Sequence, residues 1–442
     1  MGTADLDLFG LDRAVRRAAA LERAWRRRLR VDAESASDEA WFEPVREVTT
    51  RTTFQAVSEL PPGDPLREPL RRWIHRLAMA RIAQPVVARA EMERQAKRIK
   101  LTSPEAGVFA ARDLVHRALA ERDPRRSAVW LEGLAEASAP IAAAERQARE
   151  SELEIASRLG TSESSLWPVD AAALRRAATD LLDRTDDLAR SSFAPAEGLA
   201  ELVGRLLARD VPGVWPGGSL LRWMVEPFRT TPLLEGIELD IGPLPAVLGA
   251  ASFMRAFAQF GMAYGRAAPA TGATFAHAHD PHEINALRRG SLFAALFADP
   301  AFLRRQVDLS PKAARGAAFD IGRTLLASVR LDATRTLVDL SLVGATETAE
   351  HLERALSVPF DPRLCGVMPR TAPRAPFALL GALLARSDAE NLRDQFDEDW
   401  FRNPEAFRHM RQIDAVPYAT SIAEDAFRAA PARVAAWLES LG

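Results

Sequence analysis

The residues best suited to chemistry in this sequence are the histidines of one short segment. His277, His279 and His282 lie close together, and Glu283 follows the last of them. Imidazole and carboxylate groups at such spacing in a loop are typical ligands of a transition metal. One hypothesis is therefore a metal-dependent hydrolase in which these four side chains bind the metal.

The same segment also has an interpretation without a metal. Asp280 is followed by Pro281 and Glu283, an order that is typical of the first turn of a helix. Asp280 would then cap the helix, and the histidines would be polar residues of the preceding loop. The residue pattern alone leaves both interpretations open.

Other familiar catalytic patterns are missing from the sequence. None of its lysines, Lys97, Lys100 and Lys312, follows a glycine as the phosphate-binding loop of P-loop proteins requires. There is no G-x-S-x-G nucleophile motif. Cys365 is the one cysteine, so an intramolecular disulfide is excluded, and no neighbouring group is suited to activate its thiol.

A second candidate site lies on the longest apolar stretch, residues 243–265. Before Tyr264 its polar side chains are Ser252, Arg255 and Gln259, which share one face of a helix at positions i, i+3 and i+7. A helix that is otherwise apolar all round is typically buried. We expect this polar stripe to face partner side chains or a cavity, and Arg255 near the middle argues against a membrane span.

The sequence predicts a mainly α fold. Helical periodicity dominates, and strand signals are confined to residues 220–228 and 236–241. Residues 211–245 are rich in proline and glycine and predict a boundary between an N-terminal helical lobe (1–210) and a C-terminal helical lobe (211–442) that contains the 243–265 helix. We expect a large multi-helix, two-lobed fold with a central cleft and few short strands.

Individual elements are predicted from breakers and caps. Pro85 predicts a kink or a split in the helix that runs from Leu70 to about Lys100. Asp38 and Asp170 are predicted to cap helices over 38–60 and 171–190. Further helices are predicted over 105–122, 310–331, 332–343, 376–387 and 388–396.

Composition constrains the partners. The 442 residues carry a net charge of −2, which favours neither nucleic acid nor a membrane surface. The arginine-rich run at 26–30 predicts a solvated helix face, with a phosphate or nucleic-acid patch as the alternative.

The arginine and alanine excess is typical of GC-rich coding and suggests a bacterial protein. The first residues show no secretory signal, so we expect a cytoplasmic location.

Three segments resemble the helical zinc metallopeptidases of the thimet-oligopeptidase, oligoendopeptidase and carboxypeptidase-Taq type. In that family a central helix carries H-E-F-G-H-A, and a second helix supplies a third ligand. Residues 291–300 (SLFAALFADP) are similar to the second helix, and residues 392–406 (LRDQFDEDWFRNPEA) are similar to a segment near the family's C-terminus. Residues 251–256 (ASFMRA) fall on the central motif.

The chemical residues of that motif are not retained in this alignment. Ala251 falls on the first zinc ligand, Ser252 on the general base and Arg255 on the second ligand, and residues 287–289 (LRR) offer no carboxylate as a third. The resemblance therefore implies a peptidase-like fold without the zinc site, and no cofactor.

The resulting hypothesis is a catalytically inactive metallopeptidase-like protein that binds a peptide or a partner protein or serves as a scaffold. Its cleft candidates are Ser252, Arg255, Gln259, Arg288 and Arg289. The alternative is the metal-dependent hydrolase with the histidine cluster. The oligomeric state is not indicated by the sequence.

Overall fold

The computed structural model describes residues 7–101, 107–161, 166–194, 196–207, 249–267, 273–341, 343–367, 375–414 and 421–441. The strands predicted at 220–228 and 236–241, and the first six residues of the 243–265 stretch, lie outside these ranges. Within them the chain is overwhelmingly helical, as predicted.

The described part contains seventeen α-helices and one pair of strands. In chain order the helices are α1 (Leu8–Val31), α2 (Ala33–Ser37), α3 (Arg51–Ser58), α4 (Arg67–Ala96), α5 (Ala111–Ala120), α6 (Pro124–Arg158), α7 (Ala171–Phe193), α8 (Leu199–Leu206), α9 (Ala250–Ala267), α10 (Phe275–Ala278), α11 (Ile284–Ala295), α12 (Pro300–Gln306), α13 (Pro311–Ser341), α14 (Ala345–Leu356), α15 (Ala375–Phe396), α16 (Pro404–Asp414) and α17 (Ala430–Glu439). Short 3-10 turns cover Glu43–Thr49, Leu296–Ala298, Pro362–Val367, Trp400–Arg402 and Glu424–Ala426.

The strands β1 (Arg98–Leu101) and β2 (Gly107–Ala110) pair antiparallel, with Arg98 opposite Ala110 and Leu101 opposite Gly107. This hairpin occupies the start of the helix predicted over 105–122, and α5 begins only at Ala111. A two-stranded sheet cannot organise a protein of this size, so the mainly α fold class is confirmed.

The N-terminal core is built by α1 to α4 around large aromatic side chains. Trp25, Trp41 and Trp73 are almost completely buried there. The indole N–H of Trp25 donates to the carbonyl of Ala36 at 3.0 Å, which fixes α2 against α1. Ala276 of the much later helix α10 belongs to the same core.

A second core joins α5 to α8 with α13, α14, α15 and α17. Its central polar link is Arg330 of α13, which is fully buried. The Arg330 guanidinium donates to the carbonyl of Ala355 at 2.8 Å and to Thr185 Oγ1 at 2.6 Å, so it ties α13 to α14 and α7. This core contains residues from both sides of residue 210, and the division into lobes at that point stays a prediction.

A third core surrounds α9 and is rich in phenylalanine. The Phe257 ring of α9 lies 4.8 Å from the Phe297 ring, and Phe302 lies 5.3 Å from Phe401. Edge-on contacts of this kind add to the energy gained by burying aromatic surface. The α9 helix is therefore held by packing on most of its circumference.

Several predicted boundaries are wrong. The α4 helix is not split at Pro85, and the predicted pairs over 310–331 and 332–343 and over 376–387 and 388–396 are single helices. Asp38 does not begin a helix but lies at the C-terminal end of α2. Thr50 caps α3 instead, by accepting the N–H of Thr53. Asp170 does cap α7, as predicted, through the N–H groups of Ala172 and Ala173. In the described ranges no helix is both long and apolar enough to cross a membrane.

Candidate functional site

The α9 helix places the three predicted polar side chains in different environments. Ser252 is buried, Gln259 is partly buried and Arg255 is exposed. The Oε1 atom of Gln259 is buried and has no hydrogen-bond partner among the described residues. The stripe predicted from sequence is therefore real, but it is only partly accessible.

Arg255 has no hydrogen bond or ion pair within the described part of the chain. Its side chain is exposed, yet desolvation by the surrounding protein lowers the pKa of the guanidinium. These two facts fit a side chain that reaches water on one side and is enclosed by protein on the other. Because arginine remains charged under all ordinary conditions, Arg255 presents a positive charge on the helix that no described residue compensates.

The α9 and α11 helices pack directly against each other. Gly261 of α9 lies so close to α11 that a Cβ atom on it would be 2.4 Å from the carbonyl oxygen of Arg289. On the facing side, a Cβ atom on Gly290 would be 2.6 Å from Met262 Cγ. The contact therefore depends on the absence of side chains at both glycines, and no cleft separates the helices at this point.

Arg288 and Arg289 of α11 are engaged in ion pairs. Arg289, only 1% exposed, donates to Asp414 at 2.6 Å and to Asp388 at 3.0 Å. Arg288 donates to the same Asp388 carboxylate through Nε at 2.6 Å. Both aspartates are buried, and they raise the pKa of Arg289 although its burial acts in the opposite direction. These four groups form a charge network that joins α11 to α15 and α16.

The five cleft candidates therefore fall into two groups. Arg288 and Arg289 come together through Asp388, while Arg255 shares no hydrogen-bond or ion-pair partner with them among the described residues. The Tyr264 hydroxyl is buried beside the network without a hydrogen-bond partner among the described residues. Burial and the charge of Asp414 raise its pKa, so it stays protonated.

The histidines of the 273–283 segment contact different partner residues. His279 packs on the Phe275 ring at 4.7 Å, and His282 stacks on Phe377 at 4.1 Å. His277 Nδ1 lies 3.3 Å from Thr274 Oγ1. Glu283 has a left-handed backbone (φ 58°) and accepts two hydrogen bonds from Arg266, at 2.9 and 3.0 Å.

The acids of this segment bind backbone. Asp280 accepts the N–H of His282 at 2.8 Å and that of Ile284, the first residue of α11. The predicted cap position is wrong, because α11 begins at Ile284 and Glu283 is its N-cap residue. Asp12 of α1 accepts the N–H groups of Phe275 and Ala276 at 2.9 and 2.8 Å. The segment is thereby attached to the N-terminal helices.

The donor groups do not fit a metal ion. No group of three or more histidine, cysteine, aspartate or glutamate side chains is arranged to hold one in the described residues. Glu283 is committed to Arg266, and burial followed by the charges of Arg76 and Arg72 holds the pKa of His282 well below its usual value. On α9 the side chains of Ala251, Ser252 and Arg255 offer no imidazole or carboxylate. The geometry gives the metal-dependent alternative no support.

Cys365 is not an activated nucleophile. The thiol is half-buried and donates to the carbonyl of Ala345 at 3.6 Å. Burial and the charge of Asp361 raise its pKa to about 11, so the thiolate is scarce at neutral pH.

Acid is expected to destabilise the protein through His279. Burial, with the charges of Arg23 and Arg16, lowers its pKa to about 4, so the folded state binds a proton more weakly than the unfolded chain does. Stability is then lost as the pH falls from 6.5 towards 4. Between pH 7.5 and 5 we expect the free energy of unfolding of His279→Phe to fall less than that of the wild type, by up to about 2 kcal/mol. Urea unfolding at both pH values measures the difference.

Asp280 supplies a control of opposite sign. Burial raises the pKa of Asp280 to about 6, so the folded state binds a proton here more tightly than the unfolded chain does. Lowering the pH below about 6 therefore stabilises the folded state through Asp280. Asp280→Asn removes that gain and should lose more stability than the wild type between pH 7.5 and 5. Equal pH dependence in His279→Phe and the wild type would contradict the assignment to His279.

Sequence reasoning missed the partners of the candidate residues. Asp388 and Asp414 lie 99 and 125 positions from Arg289, and nothing local in the sequence connects them. Arg72 of α4 was also missed. It is 7% exposed, and its Nε and Nη1 atoms have no hydrogen-bond partner among the described residues.

Comparison with known proteins gives a result at the level of the fold. No model of a known protein family matches the sequence, and no curated protein does. Among solved structures, PZ peptidase A with inhibitor 2 superposes with a TM-score of 0.57 at 10% identity, over 90% of this chain and 85% of that chain. A candidate oligoendopeptidase F from Bacillus anthracis str. Ames gives 0.53 at 10% identity, over 90% and 84%.

A candidate peptidase from Chlamydophila abortus also gives a TM-score of 0.53 at 10% identity, over 98% of this chain and 92% of that chain. All three likenesses extend over most of both chains. The chain therefore has the fold of these peptidases, as the sequence resemblance implies. At 10% identity the likeness concerns the fold alone.

Proposed function

Starting from this peptidase fold, we propose that the protein binds peptides beside α9 and does not cleave them with zinc. The observation that carries the proposal is Arg255, an exposed cation without a partner among the described residues, on a helix that is otherwise packed into the core. Placing a charged side chain on such a helix costs free energy, because the charge is partly removed from water. A bound anionic group offsets that cost.

The alignment with the zinc helix supports the loss of hydrolysis. Zinc needs imidazole, thiolate or carboxylate ligands. Ala251 has no donor atom, and the Arg255 guanidinium neither deprotonates nor coordinates a cation. In this proposal Arg255 stands where the family has a zinc ligand and provides a fixed positive charge without Lewis-acid chemistry.

The neighbouring side chains favour a peptide as the ligand. A guanidinium binds a carboxylate through two parallel hydrogen bonds, so the ligand presents a C-terminal or side-chain carboxylate to Arg255. Gln259 lies one turn further on the same face and is partly buried, so it borders the position of the ligand beside Arg255. Ser252 is buried one turn earlier and contributes shape more than contact.

The scaffold interpretation has less support. It requires a broad exposed apolar patch on the N-terminal helices. Phe9 and Val31 are the large exposed apolar residues there in the described structure, and they sit near opposite ends of α1. Along a helix this spacing is about 33 Å, so the two side chains do not form one patch.

Binding is expected to depend on Arg255 while folding does not. For Arg255→Ala we expect at least about tenfold weaker binding of fluorescein-labelled peptides with a free C-terminal carboxylate, measured by fluorescence anisotropy, because one charge-assisted bond contributes about 1.5–3 kcal/mol. The melting temperature should change little, since no interaction within the described structure is lost. Arg205→Ala on α8 is the matched control, because that arginine is already paired with Glu201 at 2.8 Å.

Three outcomes would overturn the proposal. The first is that Arg255→Ala and Arg205→Ala bind the peptides equally well. The second is that amidated and free-acid forms of peptides without aspartate or glutamate bind alike. The third is chelator-sensitive peptide cleavage by the purified protein supplied with zinc, detected by mass spectrometry. We expect no cleavage and less than about a tenth of an equivalent of tightly bound zinc.

A further inference from the structure

A groove on the N-terminal helices is independent of α9. It lies where α1 passes the 3-10 turn Glu43–Thr49, and its volume is about 640 Å³. A volume of this size is typical of sites for small molecules. Its floor is apolar and includes Ala14, Val45 and Val48.

Three arginines line the groove. Arg13 and Arg17 are one turn apart on α1, and Arg46 comes from the turn opposite. Arg17 has no hydrogen bond or ion pair in the described structure. Arg13 approaches Asp7 only to 3.9 Å and Arg46 approaches Glu43 only to 4.0 Å, and both pairs are largely exposed. Pairs of this kind contribute little, so the guanidinium groups remain available to a ligand.

A fourth arginine strengthens the positive field behind the groove. Arg81 of α4 donates to Thr49 Oγ1 at 2.9 Å and lies over the Phe42 ring at 5.5 Å. Burial lowers the pKa of Arg81, and the charge of Arg46 lowers it further, while Glu43 offsets this in part. An anion between these groups would relieve the repulsion.

The more conspicuous basic run further along α1 is different. Arg26 is bonded to the buried carboxylate of Glu22 at 2.8 Å, and Arg28 is bonded to Glu39 at 2.9 Å. Those arginines are used within the fold. The groove arginines, which do not stand out in the sequence, have no comparable partners in the described part of the chain.

The turn holds its side chains in a fixed arrangement. Thr49 Oγ1 donates to the carbonyl of Arg46 at 3.0 Å, and Thr50 Oγ1 donates to that of Glu47 at 3.1 Å. These bonds support the backbone of the turn at Arg46 and Glu47, whose side chains line the groove. The carboxylates of Glu43 and Glu47 at its edge are acceptors for hydroxyl groups.

We propose that this groove binds a small organic phosphate. The phosphate dianion lies among Arg13, Arg17 and Arg46, and hydroxyl groups on the organic part donate to Glu43 or Glu47. Guanidinium groups bind phosphate oxygens through paired hydrogen bonds, which suits a site with several arginines.

Isothermal titration calorimetry of the full-length protein with ribose 5-phosphate, ribose and inorganic phosphate tests this proposal. We expect ribose 5-phosphate to bind at least tenfold more tightly than either of the other two. The variant Arg17→Gln/Arg46→Gln should weaken that binding at least tenfold. Ala14→Phe fills the groove without changing its charge and should weaken binding by a similar factor. Arg158→Gln on α6 is the matched control, because that arginine is exposed and already paired with Glu154.

The melting temperature of each variant shows whether it still folds. If one of the two groove variants fails to fold, the other still tests the proposal. The proposal is overturned if ribose 5-phosphate binds no more tightly than ribose or inorganic phosphate. It is also overturned if the folded groove variants bind ribose 5-phosphate as the control does.

Discussion

Replacing Arg289 with methionine is expected to lower the free energy of unfolding by about 3–5 kcal/mol, the usual cost of removing one partner from a buried ion pair. Arg289 is 1% exposed and bridges Asp414 and Asp388. In Arg289→Met the Asp414 carboxylate stays buried, and no other ion-pair partner is found for it in the described residues. Asp388 keeps Arg288, so the unpaired charge at Asp414 causes most of the loss.

Urea unfolding of Arg289→Met and the wild type measures this effect. The matched control is Arg184→Met on α7, which breaks an exposed pair with Asp180 and should cost less than about 1 kcal/mol. The double variant Arg289→Met/Asp414→Leu removes both charges and should recover much of the loss, because well-packed apolar groups replace buried pairs at little cost. A change below 1 kcal/mol in Arg289→Met would show that the network is not needed for stability.

Gly261→Ala is expected to destabilise the protein by about 2–3 kcal/mol, although alanine is the better helix former. The added Cβ would lie 2.4 Å from the carbonyl oxygen of Arg289 and 2.8 Å from its carbonyl carbon. Both are backbone atoms of α11, so relief requires the two helices to move apart. That movement would also disturb the ion pairs of Arg289.

The same substitution at Gly316 is the control. Gly316 lies inside α13, and a Cβ atom there would have no neighbour within 4 Å. Gly316→Ala should therefore stabilise the protein by up to about 1 kcal/mol through helix propensity alone. Thermal and urea unfolding of both variants give the comparison, and effects of the same sign would argue against the close contact between α9 and α11.

Local signals explain where sequence-based prediction of the fold succeeds. The cap at Asp170 depends on the N–H groups two and three residues later, and it is found as predicted. The predicted break in α13 is absent because tertiary contacts of Arg330 hold that part of the helix against α7 and α14. The β1–β2 hairpin was not predicted, since its four-residue strands are too short to show a periodic pattern.

The candidate site shows the same division between local and distant information. The spacing of Ser252, Arg255 and Gln259 correctly predicts one helix face, because helical geometry alone decides it. Whether a charged side chain is paired depends on residues far along the chain, so the sequence could not separate the paired Arg289 from the unpaired Arg255. The histidines were grouped by spacing, but in the structure His279 packs on Phe275 and His282 stacks on Phe377, and neither contact is visible in the spacing.

The bonds of Asp12 have a consequence for the order in which the chain folds during synthesis. Its carboxylate accepts hydrogen bonds from the N–H groups of Phe275 and Ala276, which lie 263 and 264 positions later in the chain. A ribosome that adds about 5–20 residues per second reaches those residues roughly 15–50 seconds after Asp12 itself. The contacts of Asp12 with this segment therefore form only after Ala276 has been made, when the first helices have long been synthesised. The core of those helices, which includes Ala276, is completed by a segment from the second half of these 442 residues.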